Sequence, residues 1–181
     1  MDLILEVPNH LDPELCVRII EKFDADDRKV PGNTTNGYNS EVKDTVDLPI
    51  GWLDNWSDIV SELDKKLNNV IELYIPFLND RTKIQHDSIC LHNVEHHYQV
   101  QKSGHFNWHH DFSVKPPYMR IFTFMWYLNK PDEGGDTDFV FRRVKPEPGK
   151  LVVFPAAWTY PHRGCPAKNK YVVTGWLWVK G

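Results

Sequence analysis

Hydrophobic residues recur every three or four positions in about the first 80 residues, which predicts two helices. The first begins at Asp12-Pro13-Glu14, where an N-cap aspartate precedes a proline at the first helical position and an acid in the first turn. The second begins near Asp54 or Ser57, and we expect Pro76 to end or kink it. The positions expected to be buried are Leu15, Ile19 and Phe23, then Ile59, Leu63, Leu67, Val70, Tyr74 and Phe77.

From about residue 88 the pattern changes to short apolar runs separated by turn signals, which predicts strands at 89–101, 120–128, 137–141, 151–154 and 170–179. The polar segment 29–48 has no periodicity and is predicted to be a long loop, of a length typical of functional lids or disordered segments. Helices followed by strands predict an α+β domain with a β-sandwich or barrel core. We interpret residues 1–181 as one domain, with helical support over about 1–80 and the β core over about 84–180.

Composition and charge exclude several classes of protein. The chain has 181 residues, of which 41% are hydrophobic and 25% charged, as in a globular domain that buries its own core. The net charge of −4 argues against nucleic acid as the main partner. No apolar run approaches the roughly 20 residues of a membrane span, so we expect neither a membrane partner nor a signal peptide. Three widely spaced cysteines, Cys16, Cys90 and Cys165, indicate reduced thiols and a cytoplasmic location.

Histidines are concentrated between His86 and His110, and we expect function there. On a strand, residues i and i+2 point to one face, so His109 and Asp111 can bind one ion. His162 is the best placed third ligand. Two histidines and one carboxylate leave coordination positions open, as in the facial triad of non-haem Fe(II) oxygenases. The alternative interpretation is a polar strand end whose histidines have ordinary hydrogen-bond partners.

A competing motif runs from His92 to His96 and fits the H-x-x-E-H pattern of inverzincin zinc proteases. That chemistry requires a helix, which brings both histidines to one side. The flanking residues lack helical periodicity and favour a strand. A zinc hydrolase that uses His92 and His96 stays as an alternative of another class. A non-catalytic binding module is a further alternative, and it would tolerate the loss of His162 without losing its partner.

Four sequence blocks follow one another between about Val94 and Leu177. They are GHFNWHHD at 104–111, Arg120 with YLN at 127–129, GGDTDF at 134–139, and PGKLVVFP at 148–155 continued by HRG at 162–164 and KYVVTGWL at 170–177. In this order they resemble the Fe(II)/2-oxoglutarate-dependent oxygenases, specifically the prolyl 4-hydroxylase-like branch. The resemblance implies a double-stranded β-helix (jelly-roll) core flanked by the N-terminal helices. It also implies a dioxygenase that uses Fe(II), 2-oxoglutarate and O₂, and leaves open whether ascorbate is needed.

The resemblance also implies roles for individual residues. The implied Fe(II) ligands are His109, Asp111 and His162. Lys170 stands eight positions after the second metal histidine, where relatives carry the basic residue that binds the distal carboxylate of 2-oxoglutarate. Tyr127 resembles a tyrosine whose hydroxyl contacts the same carboxylate. Lys170 and Thr174 share one strand face, so Thr174 is expected to add a hydroxyl beside the lysine.

Two further residues are implied at the substrate. Trp176 is expected to wall the pocket, and Arg120 resembles an arginine that contacts substrate. The odd separation of Arg120 and Tyr127 would put them on opposite faces of a regular strand, so either a bulge intervenes or Arg120 precedes the strand. Relatives carry a tyrosine about nine or ten residues before the first metal histidine. Here Tyr98 is eleven before it and Gln101 eight before it, so this co-substrate contact stays open between the two.

The resemblance implies that the substrate is a prolyl residue in a peptide or protein. The alternative substrate is a free amino acid or another small molecule. The segment 29–48 is a candidate lid that closes over bound substrate.

Overall fold

Two helices cover one face of a curled antiparallel sheet in the computed structural model, which describes residues 1–34, 37–86, 89–93 and 98–181. The helices are α1 (Pro13–Ala25) and α2 (Ser57–Thr82), and a short 3₁₀ helix, Asp54–Trp56, leads into α2. The strands are β1 (Leu5–Val7), β2 (Val30–Pro31), β3 (Lys43–Pro49), β4 (Gln99–His109), β5 (Val114–Lys115), β6 (Tyr118–Tyr127), β7 (Thr137–Phe139), β8 (Arg142–Val144), β9 (Leu151–Pro155), β10 (His162–Gly164) and β11 (Lys170–Lys180).

Both helices form where their apolar stripes predict. Leu15, Ile19 and Phe23 of α1 are buried as expected. On α2 five of the six expected positions are buried, but Leu78 takes the place of Phe77, which is only half-buried. Pro76 does not end α2, because the helix continues to Thr82, so that part of the expectation is wrong. None of the helices in the described residues combines the length and apolar character that a membrane span requires.

The described strands form one sheet in the order β1-β9-β6-β11-β4-β10-β7-β8, with β3 added on β4, β2 on β3, and β5 on β6. The larger hydrophobic cluster lies between the helices and the sheet, and includes Trp56, Tyr74, Phe124 and Trp126. A smaller cluster that includes Tyr127, Phe139 and Phe154 lies on the other side of the sheet. The curled sheet therefore has one face covered by helices and one face available for a site.

The strand β4 changes partner along its length. Its first half pairs with β11, with Ser103 opposite Lys170, and its last residues pair with β10, with His109 opposite His162. A strand that passes from one partner to another makes a corner in the sheet. β11 and β10 therefore lie one after the other along the same edge of β4.

The segment 29–48 is not the continuous loop that its polar sequence predicts. Residues 30–31 form β2, and β3 pairs with β4 from Lys43 to Pro49. Along β3, Lys43, Thr45 and Asp47 are buried while the residues between them are exposed. A polar side chain at every second position on the inner face hid the strand from a search for apolar alternation. The described residues Asn33, Thr34, Tyr38 and Val42, between the two strands, border the cavity described below.

Candidate active site

His109, Asp111 and His162 lie together, and their ligand atoms are all within 4.8 Å of one another. His109 Nε2 is 3.7 Å from one oxygen of Asp111, and His162 Nε2 is 3.6 Å from the other. Asp111 is not on a strand as expected, because β4 ends at His109 and Asp111 stands two residues beyond that end. Among the described residues no other group of three ligand-bearing side chains meets this spacing.

Backbone carbonyl groups orient both imidazole rings. His109 Nδ1 donates to the carbonyl of Asn107 at 2.7 Å, and His162 Nδ1 donates to the carbonyl of Tyr160 at 3.2 Å. Because a carbonyl oxygen only accepts, each ring carries a hydrogen on Nδ1, and Nε2 is the nitrogen that faces Asp111. Metal-binding histidines are commonly oriented in this way.

The protonation states also suit a divalent cation. Burial, together with the neighbouring His162, lowers the pKa of His109 to about 4, so its ring is neutral at pH 7. Burial opposes ionisation of Asp111, but both histidines and hydrogen bonds from Thr123 and Trp176 lower its pKa overall. Thr123 Oγ1 donates to Asp111 at 2.7 Å. Neutral imidazoles and an ionised carboxylate are the forms that bind a metal.

Aromatic rings fix the positions of the two histidines. Phe106 stacks on His109 with ring centroids 3.5 Å apart and an interplanar angle of 16°. Phe154 and Phe139 contact His162, with centroids at 4.7 Å and 5.6 Å. The imidazole rings are therefore held by packing as well as by hydrogen bonds, so the three ligand atoms are placed together before any ion binds.

The three residues open into a cavity of about 960 Å³. One wall is formed by alternate residues of β11, namely Lys170, Val172, Thr174 and Trp176. They share a face as the strand period predicts. The Thr174 hydroxyl donates to the carbonyl of Phe124 at 3.3 Å, which leaves its oxygen able to accept from a ligand.

Lys170 is a buried cation in this wall, with 3% of its surface exposed. None of the ion pairs between described residues includes it, and its ammonium lies 5.4 Å from the centre of the Tyr127 ring. Burial lowers its pKa to about 8, although Cys165 and Asp136 favour the charged form. A buried ammonium without a paired carboxylate is suited to bind an anion, since the ligand's charge would compensate the lysine's lost hydration.

Tyr127 lies beside this lysine. Its hydroxyl shares a hydrogen bond of 2.6 Å with Thr137 Oγ1, and Thr137 borders the cavity. Burial raises the pKa of Tyr127 above its ordinary value, so the phenol stays protonated. One hydroxyl donates to the other, so the pair keeps one hydroxyl hydrogen for a ligand near the Lys170 ammonium.

Tyr98 does not reach the cavity, so a co-substrate contact by this residue is corrected by the structure. It is fully buried on the helical side, where its hydroxyl donates to Asp64 of α2 at 2.5 Å. Successive residues of a strand face opposite ways, and Gln99 and Gln101 accordingly border the cavity. Of the two candidates, Gln101 is the one that faces the site.

Arg120 reaches the cavity because of a bulge in β6. Arg120 pairs with Trp178 and Phe122 pairs with Leu177, so the intervening Ile121 has no partner on β11. This extra residue reverses the alternation and turns Arg120 to the face of Thr123. The first of the two alternatives considered above is therefore correct.

The Arg120 guanidinium is stacked between two indoles. It lies 3.8 Å from the ring centre of Trp176 and 4.9 Å from that of Trp178. Its Nε is buried and has no hydrogen-bond partner within the described chain. The two rings thus position the Arg120 side chain at the cavity wall, where its guanidinium still has N–H groups that can donate to a ligand.

The alternative zinc motif is not assembled in the described part of the chain. His92 is in an extended segment whose backbone bonds to Trp178 in both directions, at 2.8 Å and 2.9 Å, and not on a helix. His96 lies outside the described residues. The geometry required for H-x-x-E-H chemistry is absent at His92.

Sequence reasoning missed Thr123 and the inner face of β3. A lone hydroxyl residue within the apolar run of β6 was the available signal for Thr123. The three polar residues at every second position of β3 were a signal of the same kind, since Lys43 Nζ pairs with Asp47 at 2.7 Å and the Thr45 hydroxyl donates to the same carboxylate.

Comparison with known proteins finds a family match for the part of the chain that carries the site. Residues 94–178, just under half of the chain, match the model of the 2OG-Fe(II) oxygenase superfamily. This segment contains His109, Asp111 and His162 and is that of a 2-oxoglutarate-dependent dioxygenase, for which Fe(II), 2-oxoglutarate and O₂ are the cofactor and co-substrates. No curated protein matches the sequence significantly.

Several solved structures share the fold over nearly the whole chain. A viral collagen prolyl hydroxylase from Paramecium bursaria Chlorella virus-1, in complex with 2-oxoglutarate, is 20% identical, with a TM-score of 0.67 over 98% of this chain and 97% of that one. A Trichoplax adhaerens prolyl hydroxylase in complex with a hypoxia-inducible-factor peptide is 16% identical, with a TM-score of 0.72 over 96% and 82%. A Pseudomonas putida prolyl 4-hydroxylase is 16% identical, with a TM-score of 0.63 over 98% and 93%. These likenesses confirm the jelly-roll core flanked by N-terminal helices.

Proposed function

We propose that this oxygenase hydroxylates a prolyl residue in a peptide or protein. His109, Asp111 and His162 hold Fe(II), and Lys170 binds the distal carboxylate of 2-oxoglutarate. The observation that carries the proposal is the buried Lys170, which has no ion pair within the described chain and faces the same cavity as the three metal-binding side chains. A site that binds only a metal ion, without an anionic co-substrate, would not require a buried cation beside it.

The residues fit the group that the family uses. Two imidazoles and one carboxylate form the facial donor set that suits Fe(II) and leaves positions for co-substrate and O₂. When bound, the iron and its co-substrate supply the oxidising chemistry. The chain's own residues bind and orient: the carbonyls of Asn107 and Tyr160 hold the rings, and Thr123 holds the carboxylate.

Other residues shape the remainder of the pocket. The Tyr127 and Thr137 hydroxyls lie on the side of Lys170, and the one whose hydrogen is not used between them can donate to the same carboxylate. Arg120 and Trp176 form the wall on the other side of Thr174 and are the proposed substrate contacts. The guanidinium has donors to spare, which suits a substrate carbonyl oxygen.

The choice of a peptidyl proline is supported by the similar solved structures named above. Two are named as prolyl hydroxylases of collagen or of a hypoxia-inducible-factor peptide, and the second was solved with its peptide. A free amino acid or another small molecule is the second candidate. We also keep a cytoplasmic location as a proposal, based on three cysteines that form no disulfide.

The decisive experiment adds Fe(II) and then 2-oxoglutarate to the protein without oxygen and follows the visible charge-transfer absorption of the complex. We expect the band in the wild type, its loss in His162→Ala, and a rise of about tenfold or more in the 2-oxoglutarate concentration needed in Lys170→Ala. Lys170→Arg is the matched variant, since it keeps the positive charge and is expected to bind better than the alanine variant.

Substrate choice is tested separately. Proline-containing peptides and free proline are incubated with the complete enzyme, and mass spectrometry detects the added oxygen. Hydroxylation of free proline alone would favour the small-molecule candidate. Absence of the absorption band, together with Zn(II) binding that depends on His92 and His96, would overturn the oxygenase proposal and favour the hydrolase.

A further inference from the structure

Phe112 and Trp158 form an aromatic pair beside the cavity, which Phe112 lines and Trp158 reaches through its contact with Phe112. Phe112 directly follows Asp111, and Trp158 stands four residues before His162. Their ring centres are 5.6 Å apart with an angle of 84°, an edge-to-face contact. Phe112 borders the cavity, and Trp158 is 66% exposed. The two residues of the pair are therefore close in sequence to two of the metal-binding residues, and the Trp158 ring is exposed to solvent.

The pair contributes little to the packing of the fold. Neither ring belongs to the two hydrophobic clusters formed by described residues. An indole that is mostly exposed loses only a small part of its apolar surface to the protein. Large apolar side chains that stay exposed beside a binding cavity commonly mark a surface for a ligand.

The size of the cavity leaves room for more than two small molecules. Its volume of about 960 Å³ is at the upper end of the range for ligand sites. The metal-binding residues and Lys170 account for the part that takes Fe(II) and 2-oxoglutarate. Phe112 and Ser113 extend the lining beyond this part, on the side that leads to Trp158.

The charges beside the cavity favour an apolar occupant. Arg163 stacks on Trp108 at 5.1 Å, but its guanidinium also donates to Asp138 at 2.8 Å and 3.1 Å. A paired arginine offers little net charge to an acidic ligand. The open surface of the aromatic pair is then the main source of binding energy at this edge, through burial of apolar surface against the rings.

We propose that the aromatic pair is a subsite that binds an apolar side chain flanking the target residue of a polypeptide substrate. The inference rests on the proposed function and deepens it, because it requires a substrate with residues on at least one side of the target. It predicts that affinity depends on one flanking position and that this dependence requires the Trp158 ring.

The test measures peptide binding to the protein with Fe(II) and 2-oxoglutarate in the absence of oxygen, so that no turnover occurs. The probe is a fluorescein-labelled alanine peptide with a central proline and terminal lysines. A single leucine replaces alanine at each position from three before to three after the proline. Fluorescence polarisation of the wild type should show one leucine position that lowers the dissociation constant about tenfold.

The variants isolate the role of the ring. In Trp158→Ala the advantage of leucine should fall to within about twofold, whereas Trp158→Phe should keep most of it because a ring remains. Trp52→Ala is the matched control: Trp52 is 70% exposed, like Trp158, but is not part of the aromatic pair with Phe112, so the full advantage should persist.

Failure of the inference can be distinguished from failure of the proposed function. If the charge-transfer absorption forms in the wild type and in Trp158→Ala, both are folded and carry the cofactor site. A leucine advantage that is absent from the wild type, or equal in Trp158→Ala, would then overturn the subsite alone. Loss of the absorption in the wild type itself would overturn the proposed function and the subsite with it.

Discussion

Lys170 is a buried ammonium group with no ion pair among the described residues. Burial of such a group disfavours its charged form, and its pKa of about 8 leaves the charge only partly stable at slightly alkaline pH. A carboxylate ligand would raise this pKa, since an opposite charge nearby favours the protonated lysine. The buried charge of Lys170 therefore destabilises the protein without ligand, and a bound anion offsets this destabilisation.

His10 is a second residue whose environment sets its protonation state. Trp126 Nε1 donates to His10 Nδ1 at 3.0 Å, so the ring hydrogen is on Nε2, which donates to Asn69 Oδ1 at 3.1 Å. A proton added to Nδ1 would face the indole N–H. Burial, with Lys66 nearby, lowers the pKa of His10 from 6.5, against the smaller effects of Asn69 and Asp12.

This arrangement predicts a dependence of stability on pH. Because the folded pKa is below the unfolded one, the unfolded state takes up the proton first as the pH falls. The stabilisation is complete above about pH 6.5 and is lost progressively below it. Urea unfolding at pH 5 and pH 7 should show a smaller pH dependence in His10→Gln, which cannot titrate there. An equal dependence in both proteins would contradict the prediction.

At the scale of elements, bulges decide which side chains face the cavity. The unpaired Ile121 of β6 turns Arg120 inward. A register shift between β3 and β4 at Gly104 similarly moves the inner face from Ser103 to Phe106. A β-carbon at Gly104 would lie 2.5 Å from a carboxylate oxygen of Asp44, so glycine allows this close approach.

Arg142 joins the two strands at opposite ends of the strand order, β8 and β1. It donates to Asp2 at 2.8 Å, to the carbonyl of Ile4 at 3.3 Å, and to Glu6. We expect Arg142→Ala to lower the free energy of unfolding by about 1–2 kcal/mol, because hydrogen bonds between charged groups are lost and partial exposure reduces their value.

Urea unfolding measures this loss, and hydrogen exchange should show faster exchange of the β1 amides. The control is Arg143→Ala on the same strand. The Arg143 side chain is 58% exposed, and its partner Asp138 keeps Arg163, so a change below about 0.5 kcal/mol is expected. Equal losses in the two variants would show that Arg142 has no special role in closing the sheet.

At the scale of the whole molecule, ligands should stabilise the fold. A ligand at one hundred times its dissociation constant adds about 2.7 kcal/mol to the free energy of unfolding. For a chain of this size we expect Mn(II), used because it resists oxidation, to raise Tm by roughly 5–10 °C. Differential scanning fluorimetry measures the shift.

His162→Ala should show almost none of this increase. With metal present, 2-oxoglutarate should raise Tm further in the wild type but much less in Lys170→Ala, since the anion then loses its cation. A metal-induced shift that survives His162→Ala would place the ion elsewhere in the molecule.

Much of the architecture can be predicted from local patterns in the sequence. The stripe from Leu15 to Phe23 predicts α1 because a helix brings every third or fourth residue to one face. The alternation from Lys170 to Trp176 predicts a shared wall because a strand has a period of two. The order of motif residues predicts the metal-binding set and the family. These features depend on residues that are close together in the sequence, so they can be predicted without knowing the fold.

Other features depend on partners that are distant along the chain. His162 meets His109 only because β4 changes partner from β11 to β10. Tyr98 turns to Asp64 and leaves Gln101 at the cavity because α2 covers that side of β4. The inward turn of Arg120 requires a bulge whose position is set by pairing with β11. Strand register, bulges and the packing of layers arise from contacts between residues that are distant in the sequence. They therefore cannot be predicted from a local sequence pattern and are decided only when the strands pair in the folded chain.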